Sequence, residues 1–277
     1  MFEYFKRAKN VEIKALKRLA KAGQLPPLYS EPRLDFVGRL RRRATEKGLA
    51  VIAEYKKASP SQGDIALGVT PDQAVLAFIK AGAAAMSILT EKSKFKGRLN
   101  FINRAWDGGA ELFDLPLLRK DFIFDSLQVR ATASRSASAL LLIVRLTPDA
   151  FQLRDLRQEA EAYGLAAVVE VFDEVDLDVA RKSGARIIQA NARNFFDLSV
   201  DIRRSFELAR RHASEAEELW IAASGFSKPL ELLAASEAGF TAILVGTTLM
   251  RGGHLDESLK YLTSALKKGD HALCHIS

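Results

Sequence analysis

Eight short apolar runs, each followed by a longer stretch with helical signals, constrain the fold of this chain more than any other feature. They are Leu49 to Glu54, Ala84 to Leu89, Pro116 to Leu118, Ala139 to Val144, Ala167 to Val171, Arg186 to Ala190, Leu219 to Ala222 and Ala242 to Val245. Several are apolar almost throughout, as in parallel strands buried on both faces. Parallel neighbours need crossovers, and the intervening segments supply them. Thr70-Pro71-Asp72-Gln73 combines an N-cap, a proline at the first helical position and a capping-box glutamine, and Gly82 suits the stop. Thr147-Pro148 opens a helix that Gly164 closes, Asp173 caps one ending near Gly184, and Ser227 with Pro229 opens one ending near Gly239. Eight β/α units predict a (β/α)8 barrel formed by residues 1–277 as one domain. An open doubly wound sheet would want a glycine-rich turn after its first strand, where this chain has Ser59-Pro60-Ser61. Residues 1–45 precede the first strand and predict an N-terminal helical extension covering one end of the barrel.

The bulk properties narrow the setting. A hydrophobic fraction of 48% over 277 residues can bury a substantial core. No apolar run approaches the roughly 20 residues of a membrane span. The basic N-terminus lacks the apolar core and cleavage site of a secretion signal. With Cys274 as the lone cysteine, no intrachain disulfide can form, which suits a reducing cytoplasm. These points predict a cytoplasmic protein with no membrane partner. The net charge of +7 favours anionic small molecules and would equally attract nucleic acid. The basic residues are spread along the chain, however. The densest group, Arg39, Arg41, Arg42 and Arg43, reads as a solvated helix face, and no nucleic-acid-binding motif accompanies it. His271, Cys274 and His275 in the tail do not form a haem pattern, and no His/Cys/carboxylate set has metal-ligand spacing. No metal or cofactor is expected.

In a barrel of this kind the polar residues at the C-terminal ends of the strands share one mouth. Those residues are Glu54-Tyr55-Lys56, Thr90-Glu91, Arg119-Lys120-Asp121, Glu170, Asn191 with Arg193, Ser224-Gly225 and Gly246-Thr247. Histidine is missing from this set: His212, His254, His271 and His275 fall in predicted helices, loops or the tail. Proton transfer would fall to Glu54, Lys56, Lys120 and Glu170, since lysines and carboxylates buried together perturb one another's protonation. A structural salt-bridge network accounts for the same residues equally well. Ser224-Gly225 and Gly246-Thr247 follow the seventh and eighth strands, the usual phosphate location in this fold. Small residues there let backbone N–H groups approach an anion, whereas glycines alone would mark only tight turns.

One stretch is more specific. Ala53-Glu54-Tyr55-Lys56-Lys57-Ala58-Ser59-Pro60-Ser61 resembles the A-E-[IVY]-K-x-x-S-P-S signature of the indole-3-glycerol-phosphate synthase family. Leu89-Thr90-Glu91 with Phe95-Lys96-Gly97 is similar to the family's loop after strand two, and Leu118-Arg119-Lys120-Asp121-Phe122-Ile123 to its L-x-K-D-F-I. Leu140-Leu141-Leu142-Ile143, Val169-Glu170-Val171 and Val245-Gly246-Thr247-Thr248-Leu249-Met250 resemble its strands four and five and its strand-eight phosphate turn. The resemblance runs from about Leu49 to Arg251. It implies a (β/α)8 fold and a step of tryptophan biosynthesis that uses neither cofactor nor metal. In that step 1-(2-carboxyphenylamino)-1-deoxyribulose 5-phosphate undergoes ring closure, decarboxylation and dehydration to indole-3-glycerol phosphate. It makes other tryptophan-pathway enzymes the candidate protein partners.

By the same resemblance, Lys120 is the general acid at the ribulose carbonyl and Glu170 the acid/base of the dehydration. Glu54 and Lys56 are the strand-one pair, and Asn191 bonds substrate hydroxyl or carboxylate oxygens, with Arg193 near the mouth. Ser59, Gly225, Gly246 and Thr247 are the phosphate contacts, with Ser224 beside them, and Phe95, Phe122 and Leu141 wall the anthranilate ring. For those last three, ordinary core packing is the plain alternative.

The chain departs from the family pattern at several points. Ala223-Ser224-Gly225 stands for E-S-G, removing a glutamate that faces the substrate. Gln189 replaces a glycine of strand six, Ala192 a polar residue, Phe172 a histidine or asparagine, and Ser136-Ala137-Ser138-Ala139 a glycine-alanine turn. The sequence therefore reads as a synthase with a modified site. Its rival is a paralogue that keeps the phosphate barrel but has changed its substrate. A third class, a non-enzymatic binding or scaffold role, gives no reason to keep both lysines and Glu170 around one mouth.

Overall fold

The computed structural model describes residues 2–194, 197–213 and 217–266. Its eight parallel strands are β1 (Ala50–Tyr55), β2 (Ala85–Leu89), β3 (Leu117–Ile123), β4 (Ala139–Ile143), β5 (Ala166–Val171), β6 (Ile187–Asn191), β7 (Leu219–Ala223) and β8 (Ala242–Val245). They form a closed barrel, with β1 pairing β8 from Ala50↔Ala242 to Ala53↔Val245. Closure excludes the open sheet.

Seven strands begin and end within one residue of their apolar runs. The third does not: it continues to Ile123, past the expected end at Leu118. The apolar signal stops there because Arg119 and Asp121 are charged, yet both are almost wholly buried within the sheet. Its register against β4 also shifts between Arg119 and Ile123.

The alternation of each strand divides the core in two. Outward residues such as Val51, Met86, Leu140 and Ile188 pack against the helices, while Ile52, Leu118, Leu141, Val168 and Ile221 fill the barrel. The crossover helices start where their caps dictate. Thr70 and Gln73 form the expected capping box on the helix Pro71–Lys80, and Asp173 caps Glu174–Lys182. The helix Ala150–Ala162 is capped by Asp149, which accepts the N–H groups of Phe151 and Gln152, rather than by Thr147. Ahead of Pro229–Glu237, Glu231 accepts the backbone N–H groups of Ser227 and Lys228.

Two helices precede the barrel, α1 (Phe2–Lys21) and α2 (Phe36–Lys47). The basic group on α2 keeps Arg41 and Arg42 exposed, while Arg43 pairs with Glu46 and donates to the Gly82 carbonyl. The inner face of α1 buries Phe5, Lys9 and Ile13 and lies on the C-terminal rim of the barrel, against β3. His212 and His254 fall away from the mouth, and His271, Cys274 and His275 lie outside the described residues. Among the described residues no helix is long and apolar enough to cross a membrane.

Candidate active site

Strand parity decides which mouth residues can act on a ligand. On β3, Leu118, Lys120 and Phe122 point inward, and Arg119 and Asp121 point outward beneath α1. Arg119 and Asp121 had been expected at the mouth, but they belong to a buried ionic cluster. The Asp121 carboxylate accepts from Lys9 at 2.7 and 2.8 Å, from Thr90 Oγ1 at 2.5 Å and from Arg119 at 2.9 Å. Arg119 also reaches Glu12, Thr90, Thr132 and the Gln128 carbonyl. Burial alone would push the Asp121 carboxyl up. Lys9 and Arg119 beside it, with the hydrogen bonds from Lys9 and Thr90, hold it down at about 2.

Other residues of the expected mouth also turn away. Tyr55 packs outward and donates to the Val69 carbonyl. Glu91 folds over its own loop and accepts the N–H groups of Ser93, Lys94 and Phe95.

The inward set converges. Lys56 Nζ lies 2.6 Å from Glu54 Oε1, and Lys120 Nζ lies 3.7 Å from Glu170 Oε2. Burial would raise the Glu54 carboxyl, but Lys56, Lys120 and Arg193 together pull it below its ordinary value. Asn191 Oδ1 accepts the Arg193 backbone N–H at 3.0 Å, so its NH2 is the end left to donate to a ligand. Arg193 donates to the Leu198 carbonyl at 2.9 Å.

A cavity of about 280 Å³ opens between β1 and β6 to β8. Lys56, Lys120, Asn191 and Arg193 line it together with Ser59, Ser224, Gly225, Gly246, Thr247 and Phe95. The turn after β8 admits no side chain at Gly246. A Cβ there would collide with the Glu54 carboxylate and stand 2.9 Å from Lys56 Nζ. In the turn after β7, Ser224 holds the left-handed region at φ 72°, which a non-glycine residue adopts at a cost of about 1–3 kcal/mol. Such strain clusters at ligand sites.

Three expected site residues do not line this cavity. Glu170 and Leu141 are fully buried and Phe122 nearly so. Phe5 of α1 covers Phe122, stacked at 3.7 Å between centroids with 9° between planes, and lies 6.1 Å from Phe95. The apolar half of the mouth is thus filled by the chain's own aromatic ring. This explains why the open cavity falls just below the roughly 300–1,000 Å³ of typical ligand pockets. Sequence reasoning missed Phe5, along with Leu198, Gln62 and Arg251 of the cavity wall; Arg251 bonds to Gln62 across its entrance. The only signal for Phe5 was the amphipathic pattern of the N-terminal helix, which does not say where that helix docks.

A closed parallel barrel whose inward lysines and carboxylates meet small-residue turns after β7 and β8 is the mouth of a (β/α)8 enzyme suited to phosphorylated substrates. Comparison with known proteins narrows this class. Residues 3–262 match the family described as indole-3-glycerol phosphate synthase. The protein of that name from Chlorobium chlorochromatii (strain CaD3) is 38% identical over 257 residues, covering 92% of this chain and 95% of its own. The one from Lacticaseibacillus paracasei is 38% identical over 217 residues, covering 78% and 79%. The chain belongs to the indole-3-glycerol phosphate synthase family, whose members are ring-closing, decarboxylating lyases of tryptophan biosynthesis. Among solved structures, thiamine phosphate pyrophosphorylase from Pyrococcus furiosus superposes with a TM-score of 0.59 at 15% identity, over 80% of this chain and 96% of its own. A 3-hexulose-6-phosphate synthase does so with 0.58 at 14%, over 79% and 99%. At such identities these two likenesses concern the fold alone.

Proposed function

We propose that this protein converts 1-(2-carboxyphenylamino)-1-deoxyribulose 5-phosphate to indole-3-glycerol phosphate. The observation that carries the reading is the pairing of Lys56 with Glu54 and of Lys120 with Glu170 beside one cup of small residues. Ring closure needs an acid at an uncharged carbonyl, and Lys120 is the inward cation on the wall between the cup and the aromatic cluster. Glu170, buried below it, serves the later proton transfers of dehydration. Positive charge developing on the substrate nitrogen gains from the Glu54 carboxylate, whose effect grows as water leaves the site. Asn191 and Arg193 orient the substrate's oxygens. Phe95, Phe122 and Leu141 receive the anthranilate ring, which requires Phe5 to yield its place on Phe122.

Lys56, Lys120 and Arg193 outnumber Glu54 and Glu170 by one positive charge in this inner set, and Arg251 adds another at the entrance. That balance suits a substrate carrying a phosphate and a carboxylate. The same reading places the helical extension and the barrel in one domain, the protein in the cytoplasm, and neither nucleic acid nor membrane among its partners. The test is turnover of the carboxyphenylamino-ribulose phosphate by purified protein, followed by indole fluorescence. Absence of turnover by well-folded protein would favour a paralogue with another phosphorylated substrate.

Two expected results follow at this site. Inorganic phosphate or sulfate should bind between Ser224-Gly225 and Gly246-Thr247, and phosphate should inhibit competitively. A crystal soak that placed the anion elsewhere, with these turns closed by side chains, would remove them from the phosphate site. Ala223→Glu should raise kcat/KM by roughly ten- to a hundredfold, as expected for adding one charged group to a partly solvated site. Ala223 lines the cavity at the end of β7. A glutamate there would supply a third carboxylate to balance the inner cations. A parent already as fast as its relatives, with no gain from glutamate, would show that alanine is simply tolerated.

A further inference from the structure

We infer that Gln189 is a positioning residue that holds Glu170 with one carboxylate oxygen toward Lys120 and leaves the other bare to exchange a proton. The two residues face each other in the register of β5 and β6, and both are fully buried. Gln189 Nε2 donates to Glu170 Oε2 across 2.5 Å, and the same oxygen faces Lys120 Nζ at 3.7 Å. The lysine distance is too long for a direct hydrogen bond. Gln189 is therefore the one direct hydrogen-bond donor to Glu170 among the described residues. Glu170 Oε1 has no partner there, and neither has Gln189 Oε1.

The surroundings leave no other group for this task. β4 presents Leu141 and Ile143 alongside Glu170, both apolar. From β3 comes Lys120, and above Gln189 on β6 stand Asn191 and Arg193. The next charged groups are Glu54 and Lys56 of β1; Glu54 is itself within the field of Lys120. A carboxylate without solvent is tolerated only when donors satisfy it, and a neutral amide favours the ionised form without competing for the proton. Fixing Oε2 between the amide and the ammonium also fixes the rotation of the carboxylate. The proton then enters and leaves at Oε1.

This inference rests on the role proposed for Glu170 in the synthase reaction, and its test separates the two. In Gln189→Met the side chain keeps its length and loses the donor. The acidic limb of the kcat–pH profile should move to higher pH, because the carboxylate has lost its hydrogen-bond donor. At neutral pH kcat should fall about tenfold, with KM little changed. A lost packing contact would lower the melting temperature and leave the profile where it was. A carboxyl-carbon NMR titration provides a readout independent of turnover, with the Glu170 resonance assigned by its loss in Glu170→Gln. Its midpoint should rise in Gln189→Met even if the parent turns over no synthase substrate. Should Gln189→Met fail to fold, Gln189→Glu places two carboxyl groups around one proton, and the Glu170 midpoint should rise further still. A midpoint and a profile unchanged in a folded variant would overturn the inference.

Discussion

Lys120→Ala is expected to lower kcat by roughly 10²- to 10⁴-fold while the barrel stays folded. Lys120 is on β3 but faces the cavity, and its ammonium lies 3.7 Å from Glu170 rather than in a tight pair. Little folding energy depends on such a contact. Its removal does leave Glu170 fully buried with only Gln189 to satisfy it, so modest destabilisation should accompany the kinetic loss. Lys56 cannot stand in, since its ammonium is committed to Glu54 at 2.6 Å. Glu170→Gln should fall in the same range. The check is steady-state kinetics beside urea unfolding of each variant. Near-parental kcat in a correctly folded Lys120→Ala would require another acid at the carbonyl.

The second large effect is on stability. Asp121→Asn is expected to cost about 3–5 kcal/mol, the usual penalty for removing one partner of a buried ion pair. Asp121 carries the negative charge between Lys9 and Arg119, and both of those cations are also withdrawn from water. Asparagine leaves the two cations to share the partly exposed Glu12, with a neutral amide between them. The same carboxyl makes stability depend on pH. Its pKa is held at about 2 in the folded chain against an ordinary value of 3.8. The protein thus gains stability above pH 4, and loses it progressively as pH falls from about 4 to 2. The shift corresponds to about 2 kcal/mol. Urea unfolding at pH 7 and pH 3 should show a drop in the parent and a smaller one in Asp121→Asn. Stability within 1 kcal/mol of the parent at pH 7 would show that the cluster reorganises around the loss.

How far the sequence foretold this molecule varies by element. The seven strands that follow their apolar runs were legible because burial on both faces writes itself into hydrophobicity. β3 was cut short because charged residues at Arg119 and Asp121 look like a strand end until their partners are known. Those partners, Lys9 and Glu12, lie more than a hundred residues away, and no local pattern announces them. The inward residues Glu54, Lys56, Lys120, Glu170 and Asn191 were found by placing polar groups at strand ends, yet the same rule wrongly admitted Tyr55 and Glu91. Strand ends say which residues are near the mouth; parity and loop geometry say which face it. Gln189 was visible as a departure from the family pattern. Its meaning depended on the register that sets it opposite Glu170. Phe5 was beyond reach because its place on Phe122 follows from how α1 docks, a matter of tertiary packing.

The alternation along β3 also bears on how this gene can change. Odd and even positions between Leu117 and Ile123 belong to different trades: Lys120 and Phe122 point into the barrel, whereas Arg119 and Asp121 fasten a distant helix. Insertion or deletion of a single codon here would exchange the two sets at once, aiming the anchors into the mouth and Lys120 into the packing beneath α1. Point replacement is therefore the route open to this segment in evolution, and a laboratory library that varies its length would sample mostly collapsed proteins.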